Sequence, residues 1–89
     1  MLEKTKSSPV DARTYYKTGN EYYEKGDYEK AIENYNMAIL LSPIFSEAYF
    51  NRGTAKYNTL DVNGACEDWK MALKLGYKDA DFRINQYCK

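Results

Sequence analysis

From residue 28 to 39 the apolar side chains fall at Tyr28, Ala31, Ile32, Tyr35, Ala38 and Ile39. Spacings of three and four place them on one face of a helix, whereas a strand would alternate. The same stripe returns at Val62, Ala65, Cys66, Trp69, Ala72 and Leu73. Asp27 and Asp61 precede these two runs and are placed to cap them. A further helix is expected from Ala12, capped by Asp11, with Tyr15, Tyr22 and Tyr23 flanking Gly19, and ended by Gly26. Ser42-Pro43 stops the second helix, because the residue before proline is pushed out of the α region. A third helix is expected over 46–58, followed by a turn at Leu60-Asp61. Gly76 closes the fourth. Asp79 then caps a short fifth helix with the stripe Ala80, Ile84, Tyr87 and Cys88. Gaps of about 2–5 residues suit antiparallel neighbours, and no β pattern is seen. The lead-in to Asp11 offers nothing to bury and is expected to be flexible.

The two halves repeat. Compared with the residue 34 positions on, nine of the 34 residues from Ala12 to Phe45 are identical: Tyr15/Tyr49, Gly19/Gly53, Tyr23/Tyr57, Asp27/Asp61, Ala31/Ala65, Glu33/Glu67, Met37/Met71, Ala38/Ala72 and Leu41/Leu75. A fixed period signals stacked units, each burying its apolar face against the next. Gly19 and Gly53 fall inside helices, where glycine costs about 1 kcal/mol relative to alanine. Close helix–helix approach offsets that cost, since a ring from the partner helix can lie against bare backbone. Ala31, Ala65, Ala38 and Ala72 are small for the same reason, and Tyr15, Tyr49, Tyr35 and Trp69 fill the complementary space.

Composition narrows the function. Thirteen basic residues balance thirteen acidic ones, which gives no electrostatic reason to bind nucleic acid. No apolar run approaches the ~20 residues of a membrane span. The polar N-terminus lacks the apolar core of a signal peptide, so a cytoplasmic chain is expected. The chain has no histidine for acid–base work near neutral pH and no glycine-rich phosphate loop. Glu29, Glu33, Glu67 and Asp68 are expected on exposed helix faces, with i,i+4 pairs such as Glu21 with Lys25. We therefore expect a chain that is not an enzyme. Cys66 and Cys88 are expected to be small buried hydrophobes, with no metal site. One cysteine pair is no disulfide framework, so no bond between them is expected.

These residues resemble the tetratricopeptide repeat (TPR) family. Its motif places an aromatic at position 4, Gly or Ala at 8, Tyr at 11, Ala at 20, an aromatic at 24, Ala at 27 and Pro at 32. Counting from Ala12, the chain offers Tyr15, Gly19, Tyr22, Ala31, Tyr35, Ala38 and Pro43. Counting from Ser46, it offers Tyr49, Gly53, Ala65, Trp69 and Ala72, and departs at Lys56 and Tyr77. The resemblance implies an all-α fold, a right-handed superhelix of two helix hairpins plus one terminal helix. Its expected organisation is a flexible segment 1–11 and a domain 12–89, with repeat one at 12–45, repeat two at 46–79 and a capping helix at 80–88. Tyr87 fills the small-residue position of a third unit, which argues that the fifth helix ends the array.

The resemblance also implies a concave groove, lined by the first helix of each unit, that holds a peptide or partner protein. The groove positions here are Arg13, Tyr16, Lys17, Asn20, Tyr23 and Glu24, then Glu47, Phe50, Asn51, Thr54, Tyr57 and Asn58. Aromatics supply contact area there, and asparagine can bond a peptide backbone both ways. The expected partner is a protein or peptide, with no cofactor, nucleic acid or membrane. One alternative is a small self-associating protein, a homodimer or domain-swapped form, because two units and a cap leave the first unit uncovered. A weaker alternative is a co-chaperone domain with the family's carboxylate clamp. Only Asn20 and Asn51 match that clamp. Tyr16 replaces its first lysine, and Asp81 and Asn85 replace its last two basic residues, so a carboxylate would meet like charge.

Overall fold

The computed structural model describes residues 11–89 as five helices: α1 (Ala12–Glu24), α2 (Tyr28–Leu41), α3 (Ser46–Asn58), α4 (Val62–Lys74) and α5 (Ala80–Tyr87). The fold is all-α, with no strand among the described residues. The expected flexible segment lies outside them, apart from Asp11. Helices α1 and α2 pack as one hairpin and α3 and α4 as a second, α2 joins the hairpins through α3, and α5 lies on α4.

Capping sets the starts. The carboxylates of Asp11, Asp27 and Asp61 accept from the backbone N–H of Thr14 (2.9 Å), Lys30 (3.2 Å) and Gly64 (3.0 Å), each satisfying a donor that the helix leaves orphaned. Asp79 departs from expectation: it is helical itself (φ −61°, ψ −20°) and makes no side-chain cap bond. The helix ends repeat one device. After α1, Gly26 N–H donates to the Tyr23 carbonyl and Asp27 N–H to the Tyr22 carbonyl, both at 2.9 Å. The same pair of bonds closes α3 at Leu60 and Asp61 and α4 at Gly76 and Tyr77. This motif needs a left-handed residue. Gly26 (φ 82°) and Gly76 (φ 102°) supply it readily, and Leu60 takes it at φ 71°.

The expected small-against-large packing is present. A Cβ on Gly19 would lie 2.6 Å from the Tyr35 ring, and one on Gly53 would lie 2.9 Å from the Trp69 indole. Tyr35 and Trp69 are the largest fully buried side chains. Tyr15 and Tyr49, expected in the same role, are only half-buried. Between the hairpins, Ala55 packs with Ala31 and Tyr35, and Ala48 with Ala38 and Phe45. Helix α3 thus turns Gly53 toward α4 and its alanines toward α2. The Tyr87 ring folds back onto the second hairpin, 4.7 Å from Tyr57 and 5.9 Å from Trp69.

Three further expectations are corrected. Asp68 is not on an exposed face: it is 4% exposed and holds Arg52 and Lys56 of α3. The stripe rule counted it as polar and outward, but α3 brings two cations to that side of α4. Glu21 and Lys25 form no ion pair, and the Lys25 ammonium lies over the Tyr22 ring instead, 5.6 Å from its centroid. Cys66 and Cys88 form a disulfide, with Cα atoms 5.8 Å apart. Counting cysteines excludes a framework, but it does not exclude the single pair that docking of α5 on α4 brings within bonding distance.

Candidate functional site

Helices α1, α3 and α5 border a cleft of about 340 Å³. Asn20, Tyr23 and Glu24 line it from α1, Phe50, Asn51 and Thr54 from α3, Arg83 from α5, and Tyr35 from α2. Its floor is a polar network. The Tyr35 hydroxyl donates to Asn20 Oδ1 (2.5 Å), and the Asn51 amide donates to the same oxygen and to the Tyr16 hydroxyl, both at 3.0 Å. Burial first, and then the neighbouring Tyr16, push the Tyr35 phenol well above the ordinary tyrosine range. It is therefore a neutral donor at any physiological pH. Thr54 accepts from Trp69 Nε1 (3.3 Å) and donates to the Phe50 carbonyl (3.1 Å). These bonds satisfy polar groups that close packing would otherwise strand.

The network leaves two groups over. Among the described residues, the Asn20 amide nitrogen and the Asn51 carbonyl oxygen have no partner. One is a donor and the other an acceptor. Around them the cleft is mixed in character. Glu24 is exposed. Arg83 lies over the rings of Phe50 (5.4 Å) and Trp69 (5.9 Å) and pairs with no carboxylate among the described residues. Phe50 also packs on Tyr77, at 4.7 Å between ring centroids.

The other groove positions divide. Arg13 and Glu47 stand at a second, shallower hollow beside Phe45, as an ion pair at 3.8 Å, with Arg13 over the Phe45 and Tyr16 rings. Tyr16 packs on Phe45 at 4.9 Å and supports the network from below. Lys17 is exposed and does not line the cleft. Tyr57 is stacked against Tyr87 and Trp69 and belongs to the core. Asn58 donates to the Tyr23 hydroxyl (3.2 Å) and the Thr54 carbonyl (2.9 Å) at the cleft's edge.

Sequence reasoning missed Tyr35 and Arg83. Tyr35 fills space, as its spacing predicts, and it also turns its hydroxyl into the cleft. Arg83 carried a readable signal, because two further steps of 34 from Tyr15 lead through Tyr49 to Arg83. A charged residue at this aromatic position of α5 marks a place where the core gives way to an open face.

This geometry defines the class: a helical-repeat scaffold whose first helices present one open surface. Residues 19–59 match the family model described as TPR repeat, and the five helices fit TPR-like helical repeats. No curated protein matches the chain. TPR domains as a class serve protein–protein interaction. Among the described residues, no helix is long and apolar enough to cross a membrane, and no cluster of acidic or cysteine side chains could hold a metal ion.

Proposed function

We propose that the chain is an adaptor that holds an extended peptide segment of a partner protein in the cleft between α1, α3 and α5. The carrying observation is the Asn20 donor beside the Asn51 acceptor, neither of which has a partner among the described residues. A peptide backbone offers one acceptor and one donor per residue and can satisfy both. The groups are fixed in advance by the Tyr35–Asn20–Asn51–Tyr16 bonds, so little ordering entropy is lost on binding. Phe50 and Tyr23 supply contact area, while Glu24 and Arg83 give the two ends opposite charge. Arg13, Lys17 and Glu47 extend the surface toward the second hollow, and Thr54, Tyr57 and Asn58 shape its other side. The role is non-catalytic and uses no cofactor. The cytoplasmic location is part of the proposal. Persistent disulfides belong to oxidising compartments, so in the cytoplasm the Cys66–Cys88 bond would be one that forms and breaks.

Selection from a random peptide display library tests the idea. Binders should lose at least about tenfold in affinity, about 1.4 kcal/mol, to Asn51→Ala or Glu24→Ala. They should keep their affinity for Glu33→Ala on the outer face. A library that yields no binder, or binders indifferent to both cleft substitutions, would sink the reading.

A second reading, self-association, draws on Met37, Leu40 and Leu41 of α2 and Ile44 in the turn after it, which remain exposed, Leu40 by 71% and Ile44 by 76%. A concentration-dependent mass in light scattering that Leu40→Glu/Ile44→Glu abolishes would support it, and a constant monomer mass would remove it.

A further inference from the structure

Helix α5 is the weakest member of the fold and also forms part of the cleft. It has eight residues and buries only Ala80. A helix that short does not persist without tertiary support. Its N-cap makes no side-chain bond, and Phe82 points away from the core, 67% exposed. What attaches it is Ala80 at one end and Ile84 against the Trp69 cluster, the partly exposed Tyr87 ring beside Trp69, and the Cys66–Cys88 bond just past its last turn. The bond stands at the end farthest from the Gly76–Asp79 turn, where the other contact with α4 is the Tyr87 ring 5.9 Å from Trp69. Both cysteines are half-buried rather than sealed in the core.

We propose that Cys66–Cys88 is a thiol–disulfide switch that decides whether α5 is docked on α4. When the bond is closed, α5 covers Trp69 and places Arg83 on the cleft. When it is open, the helix leaves, uncovers Trp69 and Tyr57, and removes Arg83. The exchange partner is a dithiol reductant. One of its thiolates attacks a cysteine sulfur, the S–S bond breaks, and the other cysteine leaves as a thiolate that takes up a proton. The reductant's second thiolate then resolves the mixed disulfide and frees the second cysteine. Two electrons and two protons pass to the protein, and the reductant becomes a disulfide. A disulfide oxidant of the same class reverses the sequence. Opening a closed loop of sequence separation 22 removes a restraint that favours docking on the order of 100-fold.

Release of the helix stands independently of the peptide reading, whereas its effect on the cleft rests on that reading. Trp69 is the sole tryptophan and is fully buried, so it reports on the helix without any ligand. The oxidised chain and the chain treated with dithiothreitol are compared, with thiol alkylation confirming each state. On reduction, amide exchange over 80–87 should accelerate at least about tenfold. Trp69 emission should shift to the red, and α1 to α3 should keep their protection. Cys88→Ser should match the reduced state and ignore the reductant. Unchanged exchange over 80–87 with free thiols present would overturn the switch. So would loss of protection throughout the chain, which would make the bond a general staple, or a Cys88→Ser protein as protected as the oxidised form. Library-selected peptides complete the test. An affinity that falls on reduction supports the cleft effect. Release of α5 with unchanged affinity overturns that effect and leaves the peptide reading intact. If no peptide binds in either state, the peptide reading fails and amide exchange still decides the switch.

Discussion

The Arg52 guanidinium of α3 grips the Asp68 carboxylate of α4 with two parallel hydrogen bonds, Nε to Oδ2 at 2.8 Å and Nη2 to Oδ1 at 2.7 Å. Lys56 adds a third contact at 3.2 Å, and Arg52 also donates to Asn36 of α2 at 2.8 Å. One guanidinium therefore joins three helices across the two hairpins. Burial pulls the Arg52 pKa down, but the hydrogen bond to Asp68 and the attraction of its charge together outweigh it, and the net direction is up.

Removing one partner strands the other. Arg52→Ala should destabilise by about 2–4 kcal/mol, because a buried carboxylate loses its bidentate partner and keeps only Lys56. Arg52→Lys should recover little, since an ammonium cannot reproduce the fork. Urea unfolding of the single variants and of Arg52→Ala/Asp68→Ala would check this, and additive losses would show that the pair is not coupled.

Gly53→Leu should overpack the contact with the Trp69 indole and cost about 1–3 kcal/mol or more. Gly19→Leu against the Tyr35 ring should behave alike. An unchanged melting temperature for either would refute the packing.

Leu60→Gly should raise stability. Leu60 holds a left-handed backbone at φ 71° and is 87% exposed, so the substitution removes strain of roughly 1–2 kcal/mol and loses almost no contact. Glycine's greater freedom in the unfolded chain offsets part of that, leaving about 0.5–1 kcal/mol in calorimetric melting. A lower melting temperature would contradict the turn geometry.

Alkaline pH should weaken the fold in a defined window. Above about pH 10 the unfolded chain ionises its tyrosines. Folded Tyr35 stays neutral there, its pKa raised by burial and then by Tyr16. The unfolded state then binds fewer protons, so stability falls as pH rises, until Tyr35 itself ionises. Tyr77 acts in the same direction, through burial and then Asp79. Tyr35→Phe should flatten, without abolishing, the decline of melting temperature between pH 9.5 and 11.5 (a window set about the ordinary tyrosine pKa). An identical decline in the variant would refute the assignment.

Local chemistry determined the helices, the three working aspartate caps, the glycine-against-ring packing and the repeat. Each depends on residues within one turn or on a fixed period, and a linear sequence carries both directly. Tertiary structure alone decided the rest. Asp68 is polar and reads as solvated until α3 brings Arg52 and Lys56 against it. Cys66 and Cys88 read as two hydrophobes until α5 lies down on α4. The same holds for the cleft, where Tyr16, Asn20 and Asn51 were legible as a surface. Their division into groups with and without a partner among the described residues depends on where Tyr35 arrives from α2. Periodicity says which way a side chain faces, but what it meets there is set by contacts between residues far apart in the chain.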